Sequence, residues 1–528
     1  MKFSVTPRYR ARRSPVMGQN IVATSEPRAA QAGLEMLRRG GNAVDAALAA
    51  AITLVVTEPV SNGLGSDAFA IVWDGEALHG LNASGRSPAA WTPERFGPAG
   101  VPFRGWDSVT VPGAVSAWVV LSERFGRLPF ADLFEAAIRY ARDGYLVTPV
   151  VAKAWEVGAA ELAGEPGFAE HFLPGGAAPR PGTLFSCPPM ARSLEAIAAT
   201  KGEAFYRGAL AEAKVAHAAR HGGSLTLDDL AAHSADFVGT ISAPFGDKRV
   251  HEIPPNGQGI AALKALRIID RVDLGDDPDS DHALHMQIEA MKLALADLHA
   301  HVADPAAMRL DVAELLDGDY VAARAALIDP DRAQAFDTGK PMEGGTVYLA
   351  TGDADGMMVS FNQSNYAGFG SGVVVPGTGI SLQNRGAGFV SDPRHANAIG
   401  PRKRPFHTII PGFLMDDAGA PVAAFGVMGG PIQAQGHLQT VVRMERFGED
   451  PQTTCEAPRF RVLGGLDVAV ERELRESTLD GLARRGHRLS FDAPGVAFGF
   501  GGAQIVRRVE GGYVAGSDPR KDGQAVAF

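Results

Sequence analysis

The stretch GGTVYLATGDADGMMVSFNQS, residues 344–364, decides the reading of this 528-residue chain. Val347 and Leu349 alternate with Tyr348 and Ala350, a period of two that predicts a strand with two unlike faces. Gly352-Asp353-Ala354-Asp355-Gly356 is a turn sequence and residues 357–363 read as the returning strand, so Thr346 stands at the head of a β-hairpin. Just upstream, residues 337–345 (DTGKPMEGG) are punctuated by Gly and Pro and predict an exposed or mobile link. A Thr opening a strand is ordinary. It becomes chemical if the bond before it is cut, because the hydroxyl then gains an α-amino group, of reference pKa about 7.7–8.0, as its own base.

Outward from the hairpin, residues 29–39 read as a helix, Gly40-Gly41 as a break, and residues 42–56 as a second helix so uniformly apolar that it must be buried. Glu58-Pro59 ends it, and Asn62-Gly63-Leu64-Gly65 turns into a strand over 68–73 that Asp74-Gly75 closes. From about 110 to 335 the pattern is mostly helical, with Leu, Ala and Met at three- and four-residue spacing over 283–298 and 312–327. A later apolar strand, 422–427, runs into Met428-Gly429-Gly430-Pro431, a glycine turn suited to supplying N–H donors to an oxyanion. Gly499 to Gly502 make another glycine turn before a strand over 503–506.

Composition narrows the partners. Fifty Lys and Arg stand against sixty Asp and Glu, a formal charge of -10 with no basic run, which argues against nucleic acid or an anionic membrane. Cys187 and Cys455 are too few for a disulfide framework and have no zinc-type spacing, so reduced, structural thiols are expected. The first residues are basic but lack the apolar run of a secretory signal, and residues 46–56 are too short to span a bilayer, so a cytoplasmic protein is expected. There is no GxSxG elbow, Walker loop or HExxH helix. Gly63-Leu64-Gly65-Ser66-Asp67-Ala68 approaches a dinucleotide fingerprint, but a helix precedes it and a strand follows, the reverse of what a pyrophosphate site requires. His282, His285, Glu289, His299 and His301 gather on or beside one helix without a ligand spacing, and read as a solvated or structural face. No cofactor and no metal are expected.

Seven ordered blocks carry a resemblance: residues 40–69 (GGNAVDAALAAAITLVVTEPVSNGLGSDAF), 108–118 (SVTVPGAVSAW), 285–297 (HMQIEAMKLALAD), 344–364, 368–386 (GFGSGVVVPGTGISLQNRG), 401–414 (PRKRPFHTIIPGFL) and 425–435 (FGVMGGPIQAQ). Together the chain resembles the gamma-glutamyltransferase (glutathione hydrolase) family of N-terminal-nucleophile hydrolases, over nearly its whole length. The resemblance implies an α/β fold, a four-layer αββα sandwich made as a precursor that cuts itself before a Thr. Residues 1–345 would form the large subunit and 346–528 the small one, within one folded domain that has the potential to form homo-oligomers.

Carried over, Thr346 matches the nucleophile, Ser364 a second Thr that hydrogen-bonds it, and Gly429 and Gly430 the oxyanion pair. His407 and Thr408 stand where family members place two serines on the substrate's α-carboxylate, and Arg385 stands at or beside a Gln. Gly388 falls where typical members carry the Asp that pairs with a γ-glutamyl ammonium, Ser84 replaces the usual carboxylate-gripping Arg with Arg86 two residues on, and Thr-Thr-His becomes Thr346-Val347-Tyr348. These departures resemble a divergent branch near oxamate amidohydrolase. The expected function is a self-processing amidohydrolase or acyltransferase, acting on a γ-glutamyl or related carboxylated amide with water or an amine as acceptor. Hydrolysis of a small non-amino acyl amide, oxamate or glutaryl, and an idle processed scaffold are the alternatives. Arg86, Arg385 and His407 would give a net positive pocket.

Overall fold

In the computed structural model, which describes residues 13–336, 345–491 and 499–528, the hairpin forms as strands Gly345–Gly352 and Met358–Tyr366. Of the expected link, residues 337–344 lie outside the described residues, and Gly345 is buried as the first residue of its strand. Both strands are buried throughout because each face meets a different layer. Val347, Leu349, Val359 and Phe361 pack with the helices Pro27–Arg38 and Ala43–Thr57. Tyr348, Ala350 and Met358 belong to a separate core shared with a second sheet. The period of two thus separates two interfaces, one on helices and one on strands.

Two seven-stranded sheets, every neighbouring pair antiparallel, make the inner layers. The first runs Gln524–Ala527, Ile21–Thr24, Gly345–Gly352, Met358–Tyr366, Asp67–Trp73, Leu78–Ala83, Asp236–Phe237. The second runs Val16–Gly18, Gly512–Ser517, Gly502–Val509, Pro421–Met428, Gly412–Asp416, Lys248–Glu252, Ile241–Phe245. Phe69, Ile71 and Tyr348 of the first meet Phe413, Ala424 and Met428 of the second. The outer face of the second sheet, through Leu414, Phe425 and Val427, packs on the helices Gly259–Ile269, Asp281–His301 and Ile432–Val441. Helix, sheet, sheet and helix are the four layers of the expected αββα sandwich.

The helix Ala43–Thr57 is buried at every position. Its start is fixed by Asn42, whose side chain accepts the N–H groups of Val44 and Asp45 while Asp45 returns a bond to the Asn42 N–H. A reciprocal cap of this kind contributes on the order of 1 kcal/mol.

Two expectations need correction. Residues 312–327 form two helices, Val312–Leu315 and Gly318–Ala325, because Asp317 accepts the N–H groups of Asp319 and Tyr320 and starts a new helix there. The mostly helical region also contains Ile241–Phe245 and Lys248–Glu252, the edge of the second sheet, where Pro244 is tolerated because an edge strand can spare an N–H. Cys187 and Cys455 are buried free thiols. Among the described residues no helix is long and apolar enough to cross a membrane.

Candidate active site

Thr346 sits where the hairpin ladder slips: Gly345 pairs with Tyr366 but Val347 with Gln363, so Ser364 and Asn365 together oppose Thr346. A bulge bends its strand and re-aims the side chains around it. Here it brings Ser364 Oγ to 3.2 Å from Thr346 Oγ and 2.6 Å from the carbonyl oxygen of Gly345. Thr346 Oγ lies 2.8 Å from the same carbonyl oxygen. Both hydroxyls therefore bear on the bond that self-cleavage would break.

Counting donors assigns the protons. Ser364 Oγ accepts from Arg385 Nη2 at 2.6 Å and from the Tyr366 N–H at 2.9 Å. Neither donor can reverse its role, and together they occupy both hydroxyl lone pairs, leaving Ser364 to donate its proton. Its near acceptor is the Gly345 oxygen, where negative charge would develop on attack. Ser364→Ala is expected to slow Gly345–Thr346 cleavage and subsequent turnover by roughly tenfold to a hundredfold, with a small change in KM. Cleavage time courses by intact mass, set beside steady-state kinetics, would check it; unchanged rates would remove Ser364 from the chemistry.

A residue that sequence reasoning passed over completes the contacts of Thr346 Oγ. The Gln433 carbonyl Oε1 accepts the Ile410 N–H at 3.1 Å and Asn362 Nδ2 at 3.4 Å, which turns Nε2 toward Thr346 Oγ, to which it donates at 3.1 Å. The backbone N–H of Ile410 fixes which end of the amide faces the hydroxyl. Gln433 lies in the first turn of the helix Ile432–Val441, directly after the glycine pair. Gly429 and Gly430 have φ of +124° and +67°, values that favour glycine. Gln258 Nε2 donates to the Gly430 carbonyl oxygen at 2.9 Å and so holds the turn from outside.

Arg385 is fully buried and spends Nη1 on Thr408 Oγ at 2.8 Å and Nη2 on Ser364, while its guanidinium stacks 4.7 Å from the Tyr366 ring centroid. Burial lowers its pKa to about 10, partly offset by the charge of Asp67, so it stays a cation at neutral pH. Asp67, the ladder partner of Ser364, is pushed up to about 7 by burial, against the pull of Arg385 and of the Gly85 and Gly113 N–H groups. His407 faces this carboxyl: Nδ1 accepts the Ile409 N–H at 3.3 Å, so Nε2 carries the proton and donates to Asp67 Oδ2 at 3.1 Å. Burial, then Arg385 and Arg404, hold the His407 pKa well below its usual value, and the ring is neutral.

Thr346 and Ser364 thus meet on the Gly345 carbonyl oxygen, and Arg385 ties Ser364 to Thr408, with His407 behind them on Asp67. Arg86 lies apart: its half-exposed guanidinium pairs with Asp304 at 3.2 Å and lines a different cavity with His233 and Arg402. The three groups expected to make a positive pocket are therefore not brought together, and one of them is uncharged. Gly388 lines a cavity beside the site, and a Cβ there would fall 2.8 Å from the Phe406 carbonyl oxygen. A carboxylate could be installed at 388 only if backbone moved.

Of the histidines considered for a metal, His285 meets Glu289 and a distant residue, His487, with ligand atoms within 4.8 Å of one another. Apart from His487 Nδ1, which has no hydrogen-bond partner, their ligand atoms are engaged. His285 Nδ1 bonds His487 Nε2 at 2.8 Å, His285 Nε2 donates to the Asp329 carbonyl oxygen at 2.8 Å, and Lys292 Nζ donates to Glu289 Oε1 at 2.7 Å. A divalent ion would have to displace a buried ammonium from its carboxylate, so this set does not fit a metal. Glu289 and Lys292 also hold the Gln334 N–H and carbonyl oxygen, close before the end of the described segment.

With this geometry in place, comparison with known proteins is informative. The family model described as Gamma-glutamyltranspeptidase matches residues 29–528. The glutathione hydrolase-like YwrD proenzyme of Bacillus subtilis is 36% identical over 527 residues, covering 98% of this chain and 100% of that protein. The oxamate amidohydrolase proenzyme of Klebsiella pneumoniae is 37% identical over 515 residues, covering 95% of this chain and 97% of its own. A crystal structure described as cephalosporin acylase from Bacillus halodurans matches with a TM-score of 0.95 at 45% identity, covering 100% of this chain and 99% of that one. Matched from the first buried helix to its last residue, the chain belongs to the gamma-glutamyltranspeptidase family.

Proposed function

We propose that this protein is a self-processing amide hydrolase that works through an acyl-enzyme on Thr346. The observation that carries the reading is the convergence of Thr346 Oγ and Ser364 Oγ on the Gly345 carbonyl, at 2.8 and 2.6 Å. Attack of Thr346 Oγ on that carbonyl carbon breaks the Gly345–Thr346 amide, and the hydroxyl proton passes to the departing nitrogen. The resulting ester hydrolyses to a Gly345 carboxylate, a free Thr346 hydroxyl and a free α-amine. The products are chains of residues 1–345 and 346–528. Similarity to proteins named proenzymes supports this maturation step.

In turnover the α-amine takes the Oγ proton, Oγ adds to the substrate carbonyl, and the amides of Gly429 and Gly430 receive the oxyanion. The amine then returns the proton to the leaving nitrogen. Water resolves the acyl-enzyme, or an amine does so in the transfer reaction. Arg385 acts through Ser364 as a positioning residue, since its Nη2 donates to that hydroxyl. A cytoplasmic setting suits two buried, unpaired thiols.

The test is intact-mass analysis of the purified protein together with release of amine from a panel of amides. Two co-purifying polypeptides and turnover are expected; a single chain that is fully active would overturn the reading. Activity is further expected to survive exhaustive chelation, because a hydroxyl with an amine base needs no metal. Loss of turnover in EDTA, restored by a divalent cation, would contradict it.

A further inference from the structure

Tyr366 holds a backbone conformation that an aromatic residue rarely adopts. Its φ is +77°, in the left-handed region, where it closes the strand Met358–Tyr366 and pairs with Gly345 across the bulge. Glycine takes such a φ readily, whereas a residue with a bulky side chain is strained there. Strain of this kind persists only where the surroundings over-determine it, and it gathers at functional sites. The contacts of Tyr366 show what the strained position does.

Since φ is the rotation about the N–Cα bond, it fixes where Cβ leaves relative to the N–H. Both are used here. The Tyr366 N–H donates to Ser364 Oγ at 2.9 Å, and its buried ring lies 4.7 Å from the Arg385 guanidinium, whose Nη2 donates to the same oxygen at 2.6 Å. With the N–H held in place, a right-handed φ would swing Cβ to the other side of the N–Cα bond and take the ring off Arg385. A glycine would keep the N–H bond and relieve the strain, so the ring is what the strained residue adds. Arg385 needs that face. Nη1 and Nη2 are bonded to Thr408 and Ser364, but Nε has no hydrogen-bond partner, so the two bonds leave the guanidinium plane free to tilt about one edge. A ring against its face, at a distance suited to cation–π attraction and away from water, opposes that tilt.

We infer that Tyr366 is a positioning residue for the Thr346 chemistry. The face of its ring holds the Arg385 guanidinium in the orientation in which Nη2 donates to Ser364 Oγ, and its left-handed backbone lets the same residue's N–H take the second lone pair of that oxygen. With both lone pairs occupied, the Ser364 proton is directed to the Gly345 carbonyl oxygen at 2.6 Å. This inference rests on the proposed self-cleavage at Gly345–Thr346 and extends it to a residue that acts through Arg385 and Ser364.

Self-cleavage has no substrate to bind, so its rate reads positioning directly. Time courses of the freshly synthesised full chain, followed by intact mass, supply that rate. Tyr366→Gly keeps the N–H and suits the φ but removes the ring, and is expected to slow cleavage by about tenfold to thirtyfold, the scale of a desolvated cation–π contact. Tyr366→Leu fills much of the space without a π face and should be slowed to a similar degree, which separates the lost contact from lost packing. Tyr366→Phe returns the ring and should bring the rate back to within about threefold of wild type. Arg385→Gln should be slow by itself, and adding Tyr366→Gly to it should slow cleavage by no more than about a further twofold, because the ring acts through the guanidinium. A residue that only packs would add its full loss in both backgrounds. Wild-type cleavage in Tyr366→Gly, or an undiminished further loss on top of Arg385→Gln, overturns the inference and leaves the Thr346 chemistry standing. A wild-type chain that is never cut at Gly345–Thr346 overturns both.

Discussion

Thr346→Ala is expected to remain one uncleaved 528-residue polypeptide and to lose amide turnover by on the order of 10⁴-fold or more. The substitution removes the oxygen that attacks and, because the chain stays intact, also withholds the α-amine that would act as base. One hydroxyl would thus serve two reactions, and its loss would be felt in both. Little else changes locally: Thr346 is buried in a strand whose ladder is carried by backbone, so the fold should tolerate an Ala there. Thr346→Ser keeps hydroxyl and amine and is expected to retain cleavage with reduced speed, since it lacks the methyl group that restricts the χ1 rotor. Intact mass and turnover decide the matter together. Cleavage of the Ala variant at the same bond would assign the cut to a different nucleophile.

Gln433→Glu is expected to lower kcat by about 10²- to 10³-fold with little change in KM, the scale of losing a preorganised donor at a developing charge. The replacement is nearly isosteric and still offers an oxygen to the Ile410 N–H. What it reverses is the contact with Thr346 Oγ, where a donor at 3.1 Å becomes an acceptor that competes for the hydroxyl proton. The added negative charge would also raise the pKa of the nearby α-amine. Less of the free-base form would then exist at a given pH, so the acid limb of the pH–rate profile should move to higher pH. Gln433→Met, neutral and without a donor, should fall between wild type and Glu and show no such displacement. Equal losses in both variants with an unmoved profile would reduce Gln433 to a packing role.

The sequence announced the fold through residues that serve two interfaces at once. Tyr348 and Leu349 cannot face the same layer, and their alternation, followed by a turn rich in Asp and Gly, is enough to place a buried hairpin. The all-apolar run of Ala43–Thr57 likewise had to be an interior helix. Ile241–Phe245 and Lys248–Glu252 were hidden because five residues are too few to display a period beside long helices. At the site, Thr346 and the glycine pair were legible as candidates because the proposed chemistry demands those residue types. Gln433 was not, since it is one of three glutamines in the helix Ile432–Val441 and nothing sets it apart until Ile410 is seen to orient it. Arg86 misled in the opposite sense: an arginine near an expected position drew attention, while Asp304, 218 residues away, held it elsewhere.

The strand Gly345–Gly352 lies inside its sheet, hydrogen-bonded to Ile21–Thr24 on one side and Met358–Tyr366 on the other. Once its first peptide bond is cut, every route to separating the two products tears a ladder between them, because Gln524–Ala527 also clasps Ile21–Thr24 and Gly512–Ser517 clasps Val16–Gly18. Under the proposed cleavage the pair would be assembled as one molecule and become two without coming apart. If unfolded afterwards, it must find its way back as a bimolecular encounter, with the added entropy of association and a dependence on concentration that the precursor never faced. Maturation would in that respect be a one-way passage: the lifetime of the cleaved protein would be set by its barrier to unfolding, and the information for refolding would largely be given up with the bond.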